Sequence, residues 1–514
     1  MQPLHKSCYH LDKRCYEEFG LTEDILMEHA ALGMAEYIKA HFPRDSTLLI
    51  IAGVGNNGAD GIVLARLLCG YCAVKLFLPF GVKSAMAKIQ LERVEKLGVE
   101  IIDTLPNLSG VMALASPKGG AKVALPKSYD IIVDALFGAG LGRELDGKTQ
   151  EIIKTMNELD SFKIACDIPT GISEEGNPLP IAFCADVTIT MGALKESLYS
   201  DNAKDFVGEI LCADLGLPRA TYDVPSDTYL LEESDLKLPS RIQKTTHKGT
   251  YGHLAVIAGE KEGAGILSAL SALHFGIGLV TIVGDLKSSL PYSVMQDGRL
   301  PANTTAIALG MGFGSDWQSE RVQEVIKSKE PIILDADIFH SATIEKFLEQ
   351  TERAIVLTPH PKEFVALWNR LFGGEALASL ATVEEDGVRL KPHFRELDII
   401  TLQAKRLHYV REFCRFYPHI TLLLKGANSI IAQNKQCFVN PHGSAKLSKG
   451  GSGDVLSGLI GALLAQGYSS LDAAIQASLA LTAGARRYNG SSYAMLPTDL
   501  IEEIGQLEKN SSTF

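Results

Sequence analysis

The chain has 514 residues, of which 46% are hydrophobic and 21% charged, with 47 Gly and 21 Pro. This is the composition of a folded globular protein, and the length predicts about two to four domains. Lys and Arg number 49 against 61 Asp and Glu, and the net charge of −12 argues against the broad positive surface that attracts nucleic acid or an anionic membrane.

The nine cysteines are scattered and odd in number, without the spacing of a disulfide framework, so we expect reduced thiols and a cytoplasmic protein. Cys69 and Cys72 form a C-x-x-C, but no second Cys or His pair stands at metal spacing, which disfavours a redox or zinc role. The N-terminal residues are charged without an apolar core, so no signal peptide is predicted.

Apolar strand-like runs alternate with helical patterns in the first half. Strands are predicted at residues 47–54, 73–78, 130–133, 163–166 and 186–191. Helical patterns lie between them, for example at 62–68 and 84–97. This alternation predicts a parallel sheet covered by helices on both faces.

The loop Gly53-Val-Gly-Asn-Asn-Gly-Ala-Asp60 follows the first of these strands and opens a helix. Its start matches G-x-G-x-x-G, which is typical of dinucleotide-binding folds. The carboxylate that holds the ribose in such folds is missing, because the next strand ends in Leu-Phe-Leu-Pro-Phe. The loop still offers backbone N–H groups suited to phosphate and side-chain oxygens suited to a hard cation.

Two more strands of this half end in an aspartate, Asp134 and Asp167. The carboxyl ends of parallel strands face one crevice, where ligands bind in open α/β sheets. Either aspartate alone is better explained by capping a turn or helix. Three such loops in one domain favour a binding site.

A segment rich in Pro and charge, residues 217–248, separates the halves, and we place the domain boundary near residue 225. In the second half, strands are predicted at 254–258, 279–283, 307–309, 332–334, 354–357 and 421–424. Residues 263–284 lack charged side chains and are long enough to span a bilayer, but their Ser, His and Gly residues favour a buried helix and strand. The polar segment 373–396 is predicted to be a surface insertion without assigned function.

The turn Lys449-Gly-Gly-Ser-Gly-Asp454 precedes an apolar helix predicted at 455–465. Free N–H groups at such a helix start form an anion site, and Asp454 stands where it can take a proton from a hydroxyl beside a bound phosphate. A plain helix cap is the alternative. No G-x-x-x-x-G-K-[ST] occurs, so a P-loop enzyme is excluded. Glycine-rich or polar turns also end the neighbouring strands, at residues 310–314, 334–337, 357–363 and 424–427.

The first-half motifs GVGNNGADG, DALFGAGLGREL, DIPTG, ADVTITMGALK and ADLGLP resemble the N-terminal epimerase domain of the bifunctional NAD(P)H-hydrate repair enzymes. The resemblance covers residues 1–220 and implies a potassium ion (K+) held by Asn57, Asp134 and Thr170. It implies that Asp167 transfers the proton and contacts the hydrated nucleotide. The other implied contacts are Asn56, Asn57, Gly58, Ala59, Asp60, Gly138, Ala139, Gly140, Leu141, Gly142, Arg143 and Glu144.

The second-half turns, with HKGTYG at the start and GGSGDVLSGLIGALLAQG near the end, resemble the ribokinase-like ADP-dependent NAD(P)H-hydrate dehydratase over residues 228–508. The resemblance implies that Asp454 is the catalytic base and that Ala264, Gly312, His360 and Asp454 contact the hydrated nucleotide. His360 alone would more often be a structural turn residue. The implied adenine-nucleotide contacts are Lys425, Gly426, Ala427, Asn428, Ser429 and Gly453.

The expected architecture is therefore α/β, with two three-layer αβα domains: a Rossmann-like epimerase domain at 1–225 and a ribokinase-like dehydratase domain at 226–514. The resemblance implies epimerisation of R and S hydrates of NADH and NADPH, and dehydration of the S form with Mg2+ while ADP becomes AMP and phosphate. The expected partners are these small molecules and further copies of the chain in a homo-oligomer, with neither nucleic acid nor membrane.

Two alternatives remain open at this stage. One is a small-molecule kinase that transfers phosphate from ATP to a hydroxymethyl heterocycle. The other is a non-catalytic first domain that only binds, as in messenger-RNA decapping scaffolds. The presence of all four residues Asn57, Asp134, Asp167 and Thr170 disfavours a degenerate first site, and the negative charge disfavours RNA.

Overall fold

The computed structural model describes residues 1–105, 129–373 and 396–507, and the backbone of two short strands between the last two ranges. The chain divides into two compact units, Pro3–Ser226 and Asp227–Phe514 with Met1–Gln2. The insertion predicted at 373–396 lies largely outside the described residues, apart from an antiparallel pair of strands within it.

The first unit contains nine strands within its described residues. They are β1 (Gln2–His5, whose first residue belongs to the second unit), β2 (Thr47–Ala52), β3 (Ala73–Phe77), β4 (Glu100–Ile102), β5 (Ile131–Ala135), β6 (Phe162–Cys166), β7 (Val187–Met191), β8 (Leu194–Lys195) and β9 (Glu209–Ala213). Seven of them form a parallel sheet in the order β4-β3-β2-β5-β6-β7-β9. The short β8 pairs in parallel with β1 instead.

Helices cover both faces of this sheet. They are α1 (Tyr9–Glu17), α2 (Glu23–His41), α3 (Asn56–Leu68), α4 (Ala85–Lys96), α5 (Gly147–Glu158), α6 (Lys204–Val207) and α7 (Arg219–Tyr222), with a 3₁₀ helix at Glu196–Tyr199. Along β2, Leu48 and Ile50 pack in one hydrophobic cluster with α2 and α3, while Leu49 and Ile51 pack in another with α5. Alternate residues of a strand point to opposite faces, so this pattern defines three layers.

The second unit has a longer series of strands. They are β10 (Thr228–Leu230), β11 (His253–Ile257), β12 (Leu279–Val283), β13 (Met295–Asp297), β14 (Ala306–Leu309), β15 (Ile332–Leu334), β16 (Ile355–Leu357), β17 (Val383–Glu385), β18 (Val388–Leu390), β19 (Ile420–Leu424), β20 (Ser429–Gln433) and β21 (Gln436–Asn440). Its main sheet has the order β13-β12-β11-β14-β15-β16-β19-β20-β21-β10. The strands from β13 to β19 are parallel, and β20 is antiparallel to both of its neighbours.

The helices of this unit are α8 (Glu262–His274), α9 (Glu320–Lys327), α10 (Thr343–Leu348), α11 (Pro361–Phe372), α12 (Ile399–Ala404), α13 (Arg406–Phe416), α14 (Ser452–Ala465), α15 (Ser470–Arg487) and α16 (Pro497–Gly505), with 3₁₀ helices at Glu233–Asp235, Lys248–Tyr251, Ala336–His340 and Ala445–Leu447. Leu254 and Val256 of β11 pack with α8 and α14, whereas Ala255 and Ile257 pack with α11 on the other face. The prediction of two three-layer α/β units is confirmed.

The helix–strand interpretation of the uncharged segment 263–284 is also confirmed, because α8 and β12 occupy it. Within the part of the chain that the structure describes, no helix combines the length and apolar character that crossing a bilayer requires. All nine cysteines are free thiols.

Two predicted helices begin earlier than their apolar pattern does. The pattern begins at residue 62 in the first unit and at 455 in the second, yet α3 begins at Asn56 and α14 at Ser452. The first turns of both helices consist of Gly, Asn, Ser and Asp, which carry no apolar periodicity but suit helix starts. The later parts of the two glycine-rich motifs, residues 56–60 and 452–454, are therefore helical first turns.

Close packing of α8 on α14 gives a test of this architecture. A Cβ at Gly458 of α14 would overlap the Ser271 hydroxyl and the Ser268 carbonyl of α8. We expect Gly458→Ala to lower the free energy of unfolding by about 1–3 kcal/mol through overpacking. Denaturant-dependent hydrogen exchange of peptides from α8 measures this change within one unit.

The matched control is Gly263→Ala in α8, where a Cβ would meet nothing within 4 Å. It should be neutral, or stabilising by up to about 1 kcal/mol, because Ala is the better helix former. Equal free energies of unfolding for the two variants would contradict the close helix contact.

Candidate active sites

The first site lies at the carboxyl ends of β2, β5, β6 and β7. The turn after β2 is drawn onto β5, since Gly53 N–H donates to Ala135 O at 2.9 Å and a Cβ at Gly53 would overlap the Leu136 carbonyl. A Cβ at Gly58 would in turn overlap the Gly53 carbonyl. Only glycine permits this fold of the turn, which presents the N-terminal N–H groups of α3 at the sheet edge.

Asp134 ends β5 and is fully buried. Thr170 donates to it twice, from its backbone N–H to Oδ2 and from its hydroxyl to Oδ1, both at 2.7 Å. Leu136 N–H adds a bond to Oδ1 at 3.1 Å. Burial raises the pKa of Asp134 to about 6 although these hydrogen bonds lower it. Asp134 thus ties the loops after β5 and β6 together.

The amide of Asn57 lies against the same loops. Its Oδ1 and the Oδ2 of Asp167 are each 3.1 Å from the position that a Cβ on Gly138 would take. The buried Asn57 Nδ2 has no hydrogen-bond partner among the described residues. Gly138 therefore leaves the space in which the amide of Asn57 and the carboxylate of Asp167 approach each other.

Asp167 follows β6 with φ of 70°, a left-handed conformation that few residues other than Gly, Asn and Asp adopt. Its Oδ1 accepts from Lys195 Nζ at 2.6 Å, Met191 N–H at 3.1 Å and the Thr190 hydroxyl at 3.2 Å. Burial raises the pKa of Asp167, but the Lys195 ammonium and these donors outweigh burial and hold the pKa below its ordinary value.

Lys195 is 3% exposed and also donates to Thr190 Oγ1 at 2.8 Å and Met191 O at 3.1 Å. Burial lowers its pKa, yet the Asp167 carboxylate raises it above the ordinary value, so the pair is ionised. Since all three bonds of the ammonium are made within the protein, Lys195 fixes Oδ1 of Asp167, while Oδ2 is the oxygen beside Gly138 and Asn57.

The negative charge of Asp167 raises the pKa of two other carboxyl groups. Burial raises the pKa of Asp60 well above its ordinary value, and repulsion by Asp167 adds to this effect. Burial also raises the pKa of Asp12, in α1, to about 6, with Lys195 lowering it and Asp167 raising it. Among the described residues, the carboxylates of Asp12, Asp60 and Asp167 therefore interact electrostatically in the first site, and the buried ammonium of Lys195 lowers the pKa of Asp12 and Asp167.

The remaining predicted contacts of the first site occupy different environments. Asn56 donates to Glu23 Oε1 at 2.7 Å. Ala59 is fully buried in the hydrophobic core under α3, and its N–H donates to Gly55 O at 3.0 Å. Leu141 is also buried in the core. The predicted contacts in the loop after β5 that are exposed are Ala139, Gly140, Gly142, Arg143 and Glu144.

The second site lies at the carboxyl ends of β14, β15, β16 and β19, beside the start of α14. Gly451 precedes α14 with φ of 99° and accepts from Val455 N–H at 3.0 Å. Asp454 lies in the first turn, where Ser268 donates to its carbonyl at 2.8 Å. Burial raises the pKa of Asp454 to about 6; Asp335 and Asp337 add to the rise, and Lys425 and Lys261 oppose it.

Asp335, at the end of β15, is 1% exposed. Its Oδ1 accepts from Lys425 Nζ at 2.6 Å and its Oδ2 from the Ser457 hydroxyl at 2.7 Å. A Cβ at Gly453 would lie 3.2 Å from Lys425 Nζ. The ammonium therefore lies beside the first turn of α14.

His360 caps α11, and its ring faces the carboxylate of Glu363. Nδ1 accepts from the N–H groups of Lys362 and Glu363 at 3.1 and 3.2 Å, which requires this nitrogen to be unprotonated. Nε2 lies 3.2 Å from Glu363 Oε1. Burial lowers the pKa of His360, and burial raises that of Glu363 to about 7. His360 thus has the structural role of a helix cap, and its ring is half-exposed.

Ala264 and Gly312, predicted to contact the same ligand, are neighbours. Gly312 has φ of 56°, its carbonyl accepts from Lys261 N–H at 2.9 Å, and a Cβ on it would lie 3.1 Å from the Ala264 Cβ. The absence of a side chain at Gly312 lets the turn after β14 approach the start of α8.

The predicted nucleotide contacts 425–429 form the turn between β19 and β20. Arg406, 5% exposed, donates to the carbonyls of Asn428 at 3.1 Å and Lys425 at 2.9 Å. Lys425 N–H donates to Pro359 O at 3.0 Å, which joins this turn to the loop that carries His360. The structure thus brings Lys425, Gly453 and Asp454 together. The buried Arg406 fixes the turn between β19 and β20 through its bonds to two carbonyls of that turn.

Sequence reasoning assigned no role to three residues of these sites: Lys195, Asp335 and Arg406. Lys195 ends the ADVTITMGALK motif, and a lone lysine in such an apolar run is a signal of a buried charge. Asp335 stands at a predicted strand end, the same signal that identified Asp134. Arg406 lies in an ordinary amphipathic pattern that carries no signal.

Two family models match the chain. One, described as NAD(P)H-hydrate dehydratase, matches residues 254–506. The other, described as YjeF-related protein N-terminus, matches residues 23–197. The two matches fall in the second and first units respectively.

Among solved structures, the ADP/ATP-dependent NAD(P)H-hydrate dehydratase from Bacillus subtilis, co-crystallized with ATP/Mg2+, is 27% identical to this chain. The match covers 55% of this chain and 98% of the other, with a TM-score of 0.41.

Similar proteins match over both units. The bifunctional NAD(P)H-hydrate repair enzyme Nnr of Helicobacter pylori is 38% identical over 516 residues, covering 99% of this chain and all of that protein. The protein of the same name from Coxiella burnetii is 30% identical over 516 residues, covering 96% of each chain. The chain therefore belongs to the family of bifunctional NAD(P)H-hydrate repair enzymes.

Proposed function

We propose that this chain repairs hydrated NADH and NADPH by two reactions at its two sites. The first unit interconverts the R and S hydrates, and the second dehydrates the S form while ADP becomes AMP and phosphate. The observation that carries the proposal is that each unit holds its own carboxylate at a strand-end or helix-start site, Asp167 in one and Asp454 in the other. Family membership supports both activities.

In the first unit, Asp167 is the group that we assign to proton transfer. Its low pKa keeps it ionised near neutral pH, so it receives a proton before it returns one. Its Oδ2, beside Gly138 and Asn57, is the oxygen available for this role. The N-terminal N–H groups of α3 suit the phosphates of the hydrated nucleotide.

In the second unit, the chemistry is that of a kinase followed by an elimination. Hydroxide is a poor leaving group, so the ring hydroxyl attacks the terminal phosphorus of ADP, its proton passes to Asp454 and AMP departs. The phosphate ester then leaves as inorganic phosphate, a ring proton is lost and the ring double bond re-forms. The first turn of α14 and the Lys425 ammonium stabilise the negative charge on the transferred phosphoryl group.

Mg2+ bound with the nucleotide would neutralise phosphate charge. The described residues contain no cluster of three or more His, Cys, Asp or Glu that could hold a metal. We therefore expect Mg2+ to be held mainly by phosphate oxygens, as is common for this ion. The use of ADP, the cytoplasmic location and a homo-oligomeric state also stay predictions.

The first experiment supplies purified protein with mixed R and S hydrates of NADPH, magnesium, potassium and either ADP or ATP, and follows the recovery of reduced-nicotinamide absorbance. Recovery of both epimers with ADP is the expected result. Recovery that stops at the S fraction would reduce the first unit to a binding module. A stable phosphoester made from ATP would indicate a small-molecule kinase instead.

Variants assign each reaction to its site. Asp454→Asn should lower dehydration by about 10²–10⁴-fold, the usual worth of a general base, and leave epimerisation intact. Asp167→Asn should do the converse, leaving dehydration of the S hydrate at the wild-type rate. Loss of both reactions in either variant would contradict two independent sites.

We also propose that Asn57, Asp134 and Thr170 hold K+ in the first unit. The three residues fit this ion, because they offer amide, carboxylate and hydroxyl oxygens, the ligands that hard cations take. A cation there would stabilise the Asp134 carboxylate, whose burial is otherwise unfavourable. The bound ion would supply positive charge to the loops that carry Asn57 and Asp167.

Thermal unfolding in KCl against choline chloride at equal ionic strength tests this proposal. The wild type should unfold at a higher temperature in KCl, as a ligand of the native state requires. Thr170→Val should lose that difference, since the hydroxyl ligand is gone. The control Ser173→Ala removes another buried hydroxyl nearby, which accepts from Asn177 N–H at 3.0 Å, and should keep the difference. A wild type indifferent to K+ would overturn the assignment.

A further inference from the structure

The second site contains an ion pair that joins three elements. Asp335 comes from the end of β15, Lys425 from the end of β19 and Ser457 from α14. The two sides of the ion pair differ in exposure: the Asp335 side chain is 2% exposed and that of Lys425 is 23% exposed. The carboxylate is therefore the anchored partner, and the ammonium is the partner that reaches the site.

The backbone of Asp335 is also fixed by contacts with its neighbours. Asp335 N–H donates to Leu309 O at 3.1 Å, and a Cβ on Gly310 would overlap the Asp335 carbonyl. The next residue, Ala336, has φ of 53°, a left-handed conformation unusual for alanine. Such strain at a site is retained where the surroundings enforce it.

The ammonium is aimed at the helix start. A Cβ on Gly453 would lie 3.2 Å from Lys425 Nζ and 3.8 Å from Asp335 Oδ2, so the missing side chain of Gly453 leaves Lys425 in contact with the first turn of α14. An anion at that turn would meet backbone N–H groups and the ammonium together.

We propose that Asp335 is a positioning residue of the dehydratase site, which fixes the Lys425 ammonium against the first turn of α14 where the phosphate of the nucleotide binds. This inference rests on the proposed function of the second unit. Asp335 acts through Lys425, and Ser457 holds the second oxygen of the carboxylate so that its first oxygen faces Nζ.

The pair also sets the electrostatic surroundings of Asp454. Burial is the largest cause of the raised pKa of Asp454, and Asp335 and Asp337 raise it further, whereas Lys425 and Lys261 lower it. Removing Asp335 should therefore lower the pKa of Asp454, and removing Lys425 should raise it.

The experiment measures ADP binding by calorimetry and dehydration kinetics for Asp335→Asn, Lys425→Ala and the double variant. Asp335→Asn should raise the Kd for ADP by about tenfold or more, because a charge-assisted bond that orients the ammonium is lost. The double variant should match Lys425→Ala within about twofold, since Asp335 has no route to the nucleotide once Lys425 is gone. Independent, multiplying losses would overturn the proposal.

The pH profile of kcat supplies the second readout. Its acid limb reports ionisation of the base, and it should move down by about half a pH unit or more in Asp335→Asn and up in Lys425→Ala. The matched control is Asp337→Asn, which removes the same charge from a carboxylate that accepts instead from Gly314 N–H at 2.9 Å. It should leave the Kd for ADP within about twofold of the wild type. Equal limbs in Asp335→Asn and the wild type would contradict the electrostatic coupling of Asp335 to Asp454, whereas the Kd for ADP tests the positioning of Lys425.

Ser457→Ala keeps the test decisive if Asp335→Asn does not fold. It releases one oxygen of Asp335 without changing charge, so it should raise the Kd for ADP while the acid limb stays at the wild-type pH. An unchanged Kd would count against the proposal. Wild-type protein that binds ADP but does not dehydrate the hydrate would contradict the proposed function alone, since the calorimetric comparison still judges Asp335.

Discussion

A lysine paired with an aspartate at the end of a parallel strand organises each of the two sites. In the first unit Lys195 contacts Asp167, and in the second Lys425 contacts Asp335, both with Nζ–Oδ1 distances of 2.6 Å. Taking either charge out of water alone is costly, so each partner is stable only where the other is in place with its further hydrogen bonds. The loops that carry these residues are thereby fixed to one another as well as to the sheet.

Glycines make these arrangements possible, because the loops at the strand ends approach closer than any side chain would allow. Gly53 lies against the Leu136 carbonyl and Gly310 against the Asp335 carbonyl, each at the point where a functional loop leaves its strand. Gly138 and Gly453 then leave open the space in which the polar groups meet. The glycine-rich motifs therefore serve two purposes, close backbone contact and access for a ligand.

The strands and the site loops can be predicted from the sequence, since apolar runs of three to eight residues, several of them followed by Gly or Asp, identify both. The helix starts are harder to predict, because Asn56 and Ser452 begin helices whose apolar pattern is visible only from residues 62 and 455. The antiparallel strands β20 and β21 and the two-residue β8 were not predicted. The ion pairs could not be predicted either, because their partners lie 28 and 90 residues apart and are joined only by strand order.

The same kind of pair gives the two assigned bases opposite properties. In the first unit the lysine contacts the base itself, so the pKa of Asp167 lies below its ordinary value despite burial. In the second unit the lysine donates to Asp335 instead of to the base. Burial of Asp454 and repulsion by Asp335 raise the pKa of Asp454 to about 6. A base whose pKa lies near the working pH can both accept a proton and release it, as repeated phosphoryl transfer requires. The difference between the sites thus follows from which carboxylate each lysine contacts.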